Sequence, residues 1–398
     1  MTTRRFSRSA RIASARIASV CALGVGLLCN FAAVAADDVK LPRSMVWTAY
    51  DLGSAGYTEA SGIANSLQTH YPTRIRIIPS GTSIGRLLPM STGRVKYAFL
   101  GNEAYFASEA SFDFAAKSWG PQDLRVLMGR PSPIGIAYSN CKDRPIKTMA
   151  DVKGTRIGYV KGNPSVNVKN DALIAFAGYT RDDIQPVWFG GWGQQVPALL
   201  AGQIDGMNNV PTSGQVRQIE ASSGGLCWPE MDPNDKEGWA RVQAVASFLN
   251  PVKATAGAGL SEENPKWLAG YRYPLISTYA STSADEVYNL MKAMHLHFDD
   301  YKTTTAASKG WAMAVGGRPP YDAPTHEGAV RYLKEIGVWT DEDEAWNQKR
   351  LARAKRVQEA WEDAQAGYEE WRAQEREKGN KVDDDEAWVG YWEKYRAE

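Results

Sequence analysis

The chain has 398 residues, of which 43% are hydrophobic and 23% charged, a composition typical of a globular protein with about two domains. Its formal net charge of +1 provides no strong field for polyanions. Nucleic acid is therefore not an expected partner, and no composition bias indicates a cofactor.

The first 36 residues have the pattern of a secretory signal peptide. Five arginines precede an apolar run over residues 17–36, which ends in Ala33-Val34-Ala35-Ala36, an A-x-A type cleavage site. A membrane anchor is the alternative, but the run is rich in alanine and glycine and contains Asn30, which weakens insertion. Removing the five arginines from the 46 basic residues leaves 41 against 45 acidic ones. We expect a mildly acidic protein exported to the periplasm.

Two cysteines remain after such cleavage, Cys141 and Cys227. In an oxidising compartment an even pair is more often bridged than catalytic. We expect a disulfide between them; the alternative is two separate buried thiols.

Strands and helices alternate along the first part of the chain. Residues 45–49, 74–79 and 95–100 have strand composition. Between the first two strands, Ala60, Ile63, Ala64 and Leu67 repeat at i, i+3, i+4 and i+7, which indicates one apolar face of a helix. A short helix with Ile84, Leu87 and Leu88 follows the second strand. This rhythm predicts an α/β fold with a largely parallel sheet.

A second unit with the same rhythm begins after the strand at 134–138. Its predicted elements are strands at 156–160 and 187–189, a helix at 171–177, a helix face of Val196, Leu199 and Leu200, a helix stop followed by a short strand within 202–209, and later helices at 284–297 and 325–336. The predicted domains are a first lobe of residues 37–137 with 250–340 and a second lobe of residues 138–249.

Residues 341–398 differ in composition from the rest. Apolar residues recur at alternating steps of three and four on a long charged helix, namely Leu351, Ala354, Val357, Trp361, Ala364, Tyr368 and Trp371. Gly379-Asn380 breaks this pattern, and Trp388, Tyr391, Trp392 and Tyr395 mark a second short helix face. The stripe could pack on the lobes, self-associate or contact a membrane partner, and an isolated charged helix is a further alternative. We favour intramolecular packing, because the stripe is short for a coiled coil.

Polar loops follow three neighbouring predicted strands. The first is Tyr50-Asp51-Leu52-Gly53-Ser54-Ala55-Gly56-Tyr57-Thr58, which is neither a Walker A nor a G-x-G-x-x-G motif. The second is Ser80-Gly81-Thr82-Ser83, and Asn102 follows the third strand. Loops at the carboxyl ends of parallel strands lie side by side, and helix N-termini there favour anions. The pattern predicts a site for a polar small molecule.

Signals for catalysis are weak. His295 and His297 are two residues apart and are expected on different helix faces, so they do not form a metal-binding pair. No serine stands in a G-x-S-x-G elbow, and paired carboxylates occur only in runs such as 383–385. The sequence predicts neither an enzyme nor a metal site.

Over residues 44–340 the sequence resembles the TAXI subfamily of solute-binding proteins of TRAP transporters. The resemblance is carried by Gly53-x-x-Gly56-Tyr57, by Ser80-Gly81-Thr82-Ser83, by residues 149–154 and 202–206, and by His326-Glu327-Gly328-Ala329-Val330-Arg331-Tyr332 with the residues up to Gly337. The chain departs from the family at Lys96, Arg86, Trp188, Trp192, the loop 162–167 and the tail.

The resemblance implies a two-lobed α/β periplasmic binding protein, type II-like, with a central cleft and here a C-terminal helical extension. It implies a small organic anion as ligand, such as an amino acid or dicarboxylate, and TRAP permease subunits as membrane partners. Arg86 is the expected fixed positive charge. The expected ligand-binding residues are Ser54, Tyr57, Ser80, Thr82, Ser83, Arg86, Asn102, Asn163, Ser165, Trp192 and Asn208.

Two other functions are compatible with the sequence. A receptor domain could report its ligand to a sensor instead of a permease. A secreted enzyme on the same fold would need an activated nucleophile or general base in the cleft, and the sequence offers no clear candidate.

Overall fold

The computed structural model describes residues 39–382 and 384–396. The predicted signal peptide lies outside these residues. The strands are β1 Ser44–Ala49, β2 Arg74–Pro79, β3 Tyr97–Leu100, β4 Leu124–Ser139, β5 Arg156–Val160, β6 Gln185–Phe189, β7 Gly206–Asn209, β8 Leu226–Cys227, β9 Asn250–Ala254 and β10 Lys266–Tyr279.

The helices cover both halves of this sheet and form the C-terminal region. They are α1 Ala55–His70, α2 Ser83–Ser91, α3 Glu103–Ser108, α4 Pro164–Ala175, α5 Gln195–Leu200, α6 Gly214–Glu220, α7 Lys236–Val245, α8 Ala284–Leu296, α9 Phe298–Tyr301, α10 Met313–Gly316, α11 Glu327–Glu335, α12 Asp341–Glu377 and α13 Asp385–Tyr395. The mixed α/β fold with a C-terminal helical extension is therefore confirmed.

Two long strands join the halves of the sheet, whose order is β2-β1-β3-β10-β4-β7-β5-β6. In the first half, β1 pairs in parallel with β2 and β3; in the second half, β5 pairs in parallel with β6 and β7. Residues 124–134 of β4 pair with β10, and residues 135–138 pair with β7. Because one strand belongs to both halves, β4 fixes how they are connected.

The apolar face predicted for the first helix is the buried face of α1. Ala60, Ile63 and Leu67 are fully buried, and Ala64 nearly so. Burial of a side chain the size of leucine stabilises a fold by roughly 1.5–3 kcal/mol. This face packs into a core with Trp47, Phe99 and Leu290 of the strands and α8, which explains why the segment forms a helix there.

The C-terminal extension folds back onto the body, as the sequence favours. α12 starts at the N-cap Thr340, and the chain turns at Gly379, where φ is +83°, before α13. Trp388 Nε1 donates to Ala115 O at 2.9 Å, and Trp392 Nε1 donates to Ala110 O at 2.7 Å. These bonds fix α13 against the loop after α3.

The predicted disulfide is confirmed. Cys141 and Cys227 are bonded, with their Cα atoms 5.9 Å apart. Cys227 lies in β8, which pairs with the end of β4, so the bond secures a short edge strand.

One helix starts earlier than the sequence analysis expected. The predicted helix at 171–177 is α4, which begins at Pro164 because Asn163 caps it and accepts from Val166 N at 3.2 Å. Proline is well suited to the first helical position, since its missing N–H would be unpaired there. As a result Ser165 and Lys169 lie on a helix.

None of the helices in the described part of the chain is long and apolar enough to traverse a bilayer.

Candidate functional site

The first two predicted loops lie next to each other, because β1 and β2 are parallel and Ala49 is in register with Pro79. Their hydroxyls cap the helices that follow. Ser54 Oγ accepts from Tyr57 N at 3.1 Å, and Thr82 Oγ1 accepts from Gly85 N at 2.9 Å. Both side chains therefore already satisfy one helix N–H each.

Side chains and backbone of the two halves contact each other directly across the cleft. Ser83 Oγ donates to Asn163 Oδ1 at 2.9 Å, and Asn163 Nδ2 donates to Gly81 O at 2.9 Å. Gly193 N donates to Asp51 Oδ2 at 2.7 Å. Two predicted ligand-binding residues, Ser83 and Asn163, are thus bound to each other.

Arg86 lies in a fully buried ion pair. Its Nε is 2.6 Å from Glu103 Oε1, its Nη1 donates to Ser80 O at 2.8 Å, and its guanidinium lies 3.4 Å from the centre of the Tyr50 ring. Burial alone would raise the pKa of Glu103, but the charge and hydrogen bond of Arg86 outweigh burial and lower it. The pair is therefore ionised, and Arg86 has few donors left for a ligand.

A small cavity lies between the two halves. Water-sized molecules have about 20 Å³ available in it, which is room for about one water. It is lined by Tyr50, Ser54, Ala55, Ile134, Val166, Lys169, Trp192, Asn208, Asn209, Val210, Tyr271 and Tyr273. We call it the cleft cavity.

Lys169 is the cation of the cleft cavity. Its Nζ donates to Asn102 Oδ1 at 2.9 Å and to Ser165 Oγ at 3.0 Å, and it lies 4.8 Å from the centre of the Tyr271 ring. Its side chain is almost entirely buried, and this burial lowers its pKa from 10.5 to about 7. Within the part of the chain that the structure describes, the ammonium hydrogen-bonds to neutral oxygens only.

Two side-chain amide nitrogens at the end of β7 are buried without a hydrogen-bond partner among the described residues. Asn208 and Asn209 are each 3% exposed, and the Nδ2 atom of each has no hydrogen-bond partner among the described residues. A buried donor left unpaired costs about 1–3 kcal/mol. Both amides can therefore stabilise an acceptor that enters the cavity.

Asn102 connects Lys169 to a second buried ionisable group. Its Nδ2 donates to Asp322 Oδ2 at 2.9 Å, while its Oδ1 accepts from Lys169. Burial raises the pKa of Asp322 from 3.8 to about 7. The carboxyl group and the ammonium group are thus bridged by one neutral amide.

The structure gathers only part of the predicted set in the cleft cavity. Ser54, Trp192 and Asn208 line it, and Asn102 and Ser165 contact Lys169. The remaining predicted residues are not among the lining residues; these are Tyr57, Ser80, Thr82, Ser83, Arg86 and Asn163. Their direct roles toward a ligand stay predictions.

The sequence analysis missed Lys169, Asn209, Tyr50, Tyr271 and Tyr273. A usable signal existed for Lys169, since Asn163-Pro164 marks a helix start and places Lys169 one turn after Ser165. Tyr271 and Tyr273 come from β10, more than 200 residues after Tyr50, and no local pattern brings them together.

A potential metal-binding group lies elsewhere. The possible ligand atoms of His70, His297 and Asp300 lie within 4.8 Å of one another. The two imidazole rings are stacked, with centroids 3.6 Å apart, and His70 Nε2 is 2.8 Å from Asp300 Oδ2. The group is at the C-terminal end of α1 and is not part of the cleft cavity.

Comparison with known proteins gives a family match and distant structural likenesses. Residues 52–337, more than half of the chain, match the profile of the NMT1-like family. A protein from Bordetella bronchiseptica RB50 is similar in structure at 17% identity and a TM-score of 0.42, over 75% of this chain and 90% of that one.

Two further solved structures are similar. The alkanesulfonate-binding protein SsuA from Xanthomonas axonopodis pv. citri, bound to MOPS, has 15% identity and a TM-score of 0.40 over 83% of this chain and 93% of that chain. An ABC transporter periplasmic binding protein from Brucella ovis with glutathione bound has 12% identity and a TM-score of 0.42 over 65% of this chain and 68% of that chain.

Proposed function

The chain belongs to the NMT1-like family, and we propose that it is a solute receptor that binds a small organic anion in the cleft cavity. The observation that carries the proposal is Lys169, a buried ammonium group at a cavity wall that hydrogen-bonds to no carboxylate of the described residues. Glu103 and Asp322 act on this charge without contacting it, and burial outweighs them, so an anionic ligand in direct contact would stabilise the charge.

The other polar groups at the cavity wall favour the same ligand class. The Nδ2 atoms of Asn208 and Asn209 are free donors, and the described residues that line the cavity include no carboxylate. Burial raises the pKa of Tyr271 and Tyr273, so both remain neutral hydroxyls that can donate. A cluster of donors with aromatic walls suits a carboxylate attached to an apolar body.

Ligand entry requires the two halves to separate. A cavity of about 20 Å³ is far smaller than an amino acid, and ligand pockets are usually about 300–1,000 Å³. The bonds between Ser83 and Asn163 and between Asp51 and Gly193 would break on opening. Closure by rotation about a few connecting strands is a common way in which two-lobed receptors enclose a ligand.

The delivery route and the location belong to the same proposal. The resemblance to TAXI proteins suggests that the loaded receptor transfers its ligand to TRAP permease subunits, and the N-terminal pattern suggests export to the periplasm. The lobes would be residues 37–137 with 250–340 and residues 138–249. β4 and β10 would be the connecting strands, because they join the two halves of the sheet.

A thermal-shift screen of the purified protein against organic acids and amino acids tests the ligand class. A ligand present at 100 times its Kd stabilises the folded state by about 2.7 kcal/mol. Lys169→Met should abolish the shift produced by any hit. Lys161→Met is the matched control, because Lys161 is exposed and outside the cavity wall.

Two outcomes would contradict the proposal. One is a set of hits restricted to cations or neutral molecules. The other is an anionic hit that shifts Lys169→Met as much as it shifts Lys161→Met.

A further inference from the structure

A second, larger pocket lies between β10 and the C-terminal extension. Its volume is about 540 Å³, within the range of ordinary ligand pockets. β10 contributes Tyr271 and Arg272 to its wall, α12 contributes Trp346 and Arg350, and the loop before β9 contributes Phe248. We call it the α12 pocket.

Arg272 is a cation of the α12 pocket without an acidic partner. Its Nη1 donates to the backbone oxygens of Gly129 at 3.0 Å and Val315 at 2.8 Å. Within the described ranges, no carboxylate reaches salt-bridge distance from its guanidinium. Burial lowers the pKa of Arg272, which indicates that water only partly solvates this charge. An arginine always carries its proton in proteins, so the charge remains and would be stabilised by an anion.

Arg350 adds a second positive group at the same pocket. Its Nη2 donates to the backbone oxygen of Asp322 at 2.5 Å, and its Nη1 is 3.9 Å from Glu109. The side chain of Asp322 also reaches the pocket wall, but its Oδ2 accepts from Asn102 and burial raises its pKa to about 7. The pocket therefore has two guanidinium groups against one carboxyl group that is only partly ionised at neutral pH.

Aromatic rings form much of the remaining wall. Tyr321 and Trp346 meet edge to face with centroids 6.1 Å apart, and Tyr105 and Phe248 are tilted at 6.1 Å. Aromatic rings that surround an open volume of this size can pack with their faces and edges against a flat apolar molecule. A guanidinium can in addition bind a carboxylate with two parallel hydrogen bonds.

We infer that the α12 pocket is a second binding site, specific for a small aromatic carboxylate held by Arg272 and Arg350 between aromatic walls. The C-terminal extension forms one side of this site, which gives the extension a role beyond packing. The inference does not depend on the transport function proposed above, since the two cavities have different cations.

Calorimetric titration of the full chain with 1-naphthoate tests the inference. We expect saturable binding by the wild type and an affinity about tenfold or more lower for Arg272→Met, because a hydrogen bond to a charge is lost. Val252→Trp, which places an indole in the pocket, should also prevent binding. Arg74→Met is the matched control, since Arg74 is exposed on β2 and far from the pocket wall, and it should bind as the wild type does.

The variant Lys169→Met distinguishes binding in the cleft cavity from binding in the α12 pocket. It should retain naphthoate binding if the probe occupies the α12 pocket. Loss of binding in Lys169→Met with full binding in Arg272→Met would overturn the inference, as would the absence of saturable heat from the wild type at millimolar probe. If Arg272→Met melts well below the wild type, Val252→Trp decides, and unchanged affinity in that variant also overturns the inference.

Discussion

Ser83 at the start of α2 and Asn163 at the start of α4 hydrogen-bond to each other across the cleft, with 2.9 Å between Oγ and Oδ1. The same asparagine donates to Gly81 O and caps its own helix by accepting from Val166 N. One side chain therefore connects a helix terminus of the second half to a loop of the first.

Replacing this asparagine should both destabilise the fold and open the cleft. Asn163→Ala removes a helix cap, which typically costs about 0.5–2 kcal/mol, and also removes two contacts between the halves. We expect a lower free energy of unfolding together with a larger radius of gyration in small-angle X-ray scattering.

Asp235→Ala is the matched control for this variant. Asp235 caps α7 by accepting from Gly238 N at 2.8 Å, without a contact across the cleft. It should lose stability with no change in scattering. Identical scattering curves for Asn163→Ala and wild type would show that the asparagine does not hold the halves together.

Lys169 should make stability depend on pH in a defined direction. Its pKa is about 7 in the folded protein and 10.5 when exposed, so the folded state binds fewer protons than the unfolded state between these values. The unfavourable contribution of the lysine is complete below about pH 7 and disappears as pH rises toward 10.5. Replacing the lysine should therefore raise the stability of the protein most at low pH.

The measurement is the melting temperature of Lys169→Met minus that of wild type, from pH 6 to pH 10. The difference should become less positive, or more negative, as pH rises. The same difference for Lys161→Met, which removes an exposed lysine, should stay flat. A flat curve for Lys169→Met would mean that its pKa is not lowered.

The buried ion pair of Arg86 and Glu103 should be costly to break from one side. Both side chains are fully buried, so Glu103→Gln leaves a guanidinium without its counter-charge. Loss of one partner of a buried pair typically costs about 3–5 kcal/mol. Urea denaturation should show this loss. Replacing Lys302, whose ion pair with Asp299 is exposed, should change the free energy of unfolding by about 1 kcal/mol or less. A similar loss in both variants would contradict the argument.

The disulfide should contribute measurably to stability. It closes a segment with a sequence separation of 86 residues, and removing a bond of this kind usually costs about 2–4 kcal/mol. The double variant Cys141→Ser/Cys227→Ser should unfold at lower urea concentration than the wild type under oxidising conditions. In the presence of a strong thiol reductant, the double variant and the wild type should unfold at the same urea concentration. Unreduced peptides of exported protein in which both thiols are free would exclude the bond.

The extension should stabilise the body through Trp361. This indole is buried between Trp388 and Trp392, with centroids 4.8 Å from each, and truncation of such a side chain typically costs about 3–5 kcal/mol. Trp361→Ala should lower the melting temperature in scanning calorimetry. Trp188→Ala is the matched control because Trp188 is 45% exposed. Equal melting of the two variants would argue against packing of the extension.

Elements with strong local signals were predictable from the sequence. The apolar repeat of α1 and the strand at 74–79 agree with the structure. One face of α1 is buried, and alternate residues of the strand, Ile75 and Ile77, are partly buried, so the periodicity alone indicates both elements. The long helix and its break at Gly379 also agree, since glycine readily adopts the positive φ found there.

The cleft was less predictable, for two physical reasons. A hydroxyl at the start of a helix can cap that helix or bind a ligand, and the sequence does not distinguish the two roles. In the structure, Ser54 and Thr82 cap their helices. The polar contacts of Asn102 depend on residues distant in sequence, Lys169 and Asp322, the latter 220 positions after Asn102. Side-chain pairing over such separations is set by the tertiary fold.

The three indoles of Trp361, Trp388 and Trp392 have an optical consequence. Trp361 meets each of the other two nearly perpendicularly, at interplanar angles of 79° and 77°, in an environment that is almost free of solvent. Aromatic rings held in one asymmetric arrangement produce circular dichroism in the near ultraviolet, and this signal disappears when tertiary packing is lost. The extension therefore contributes its own near-ultraviolet signal, in addition to that of buried indoles of the body such as Trp47 and Trp311.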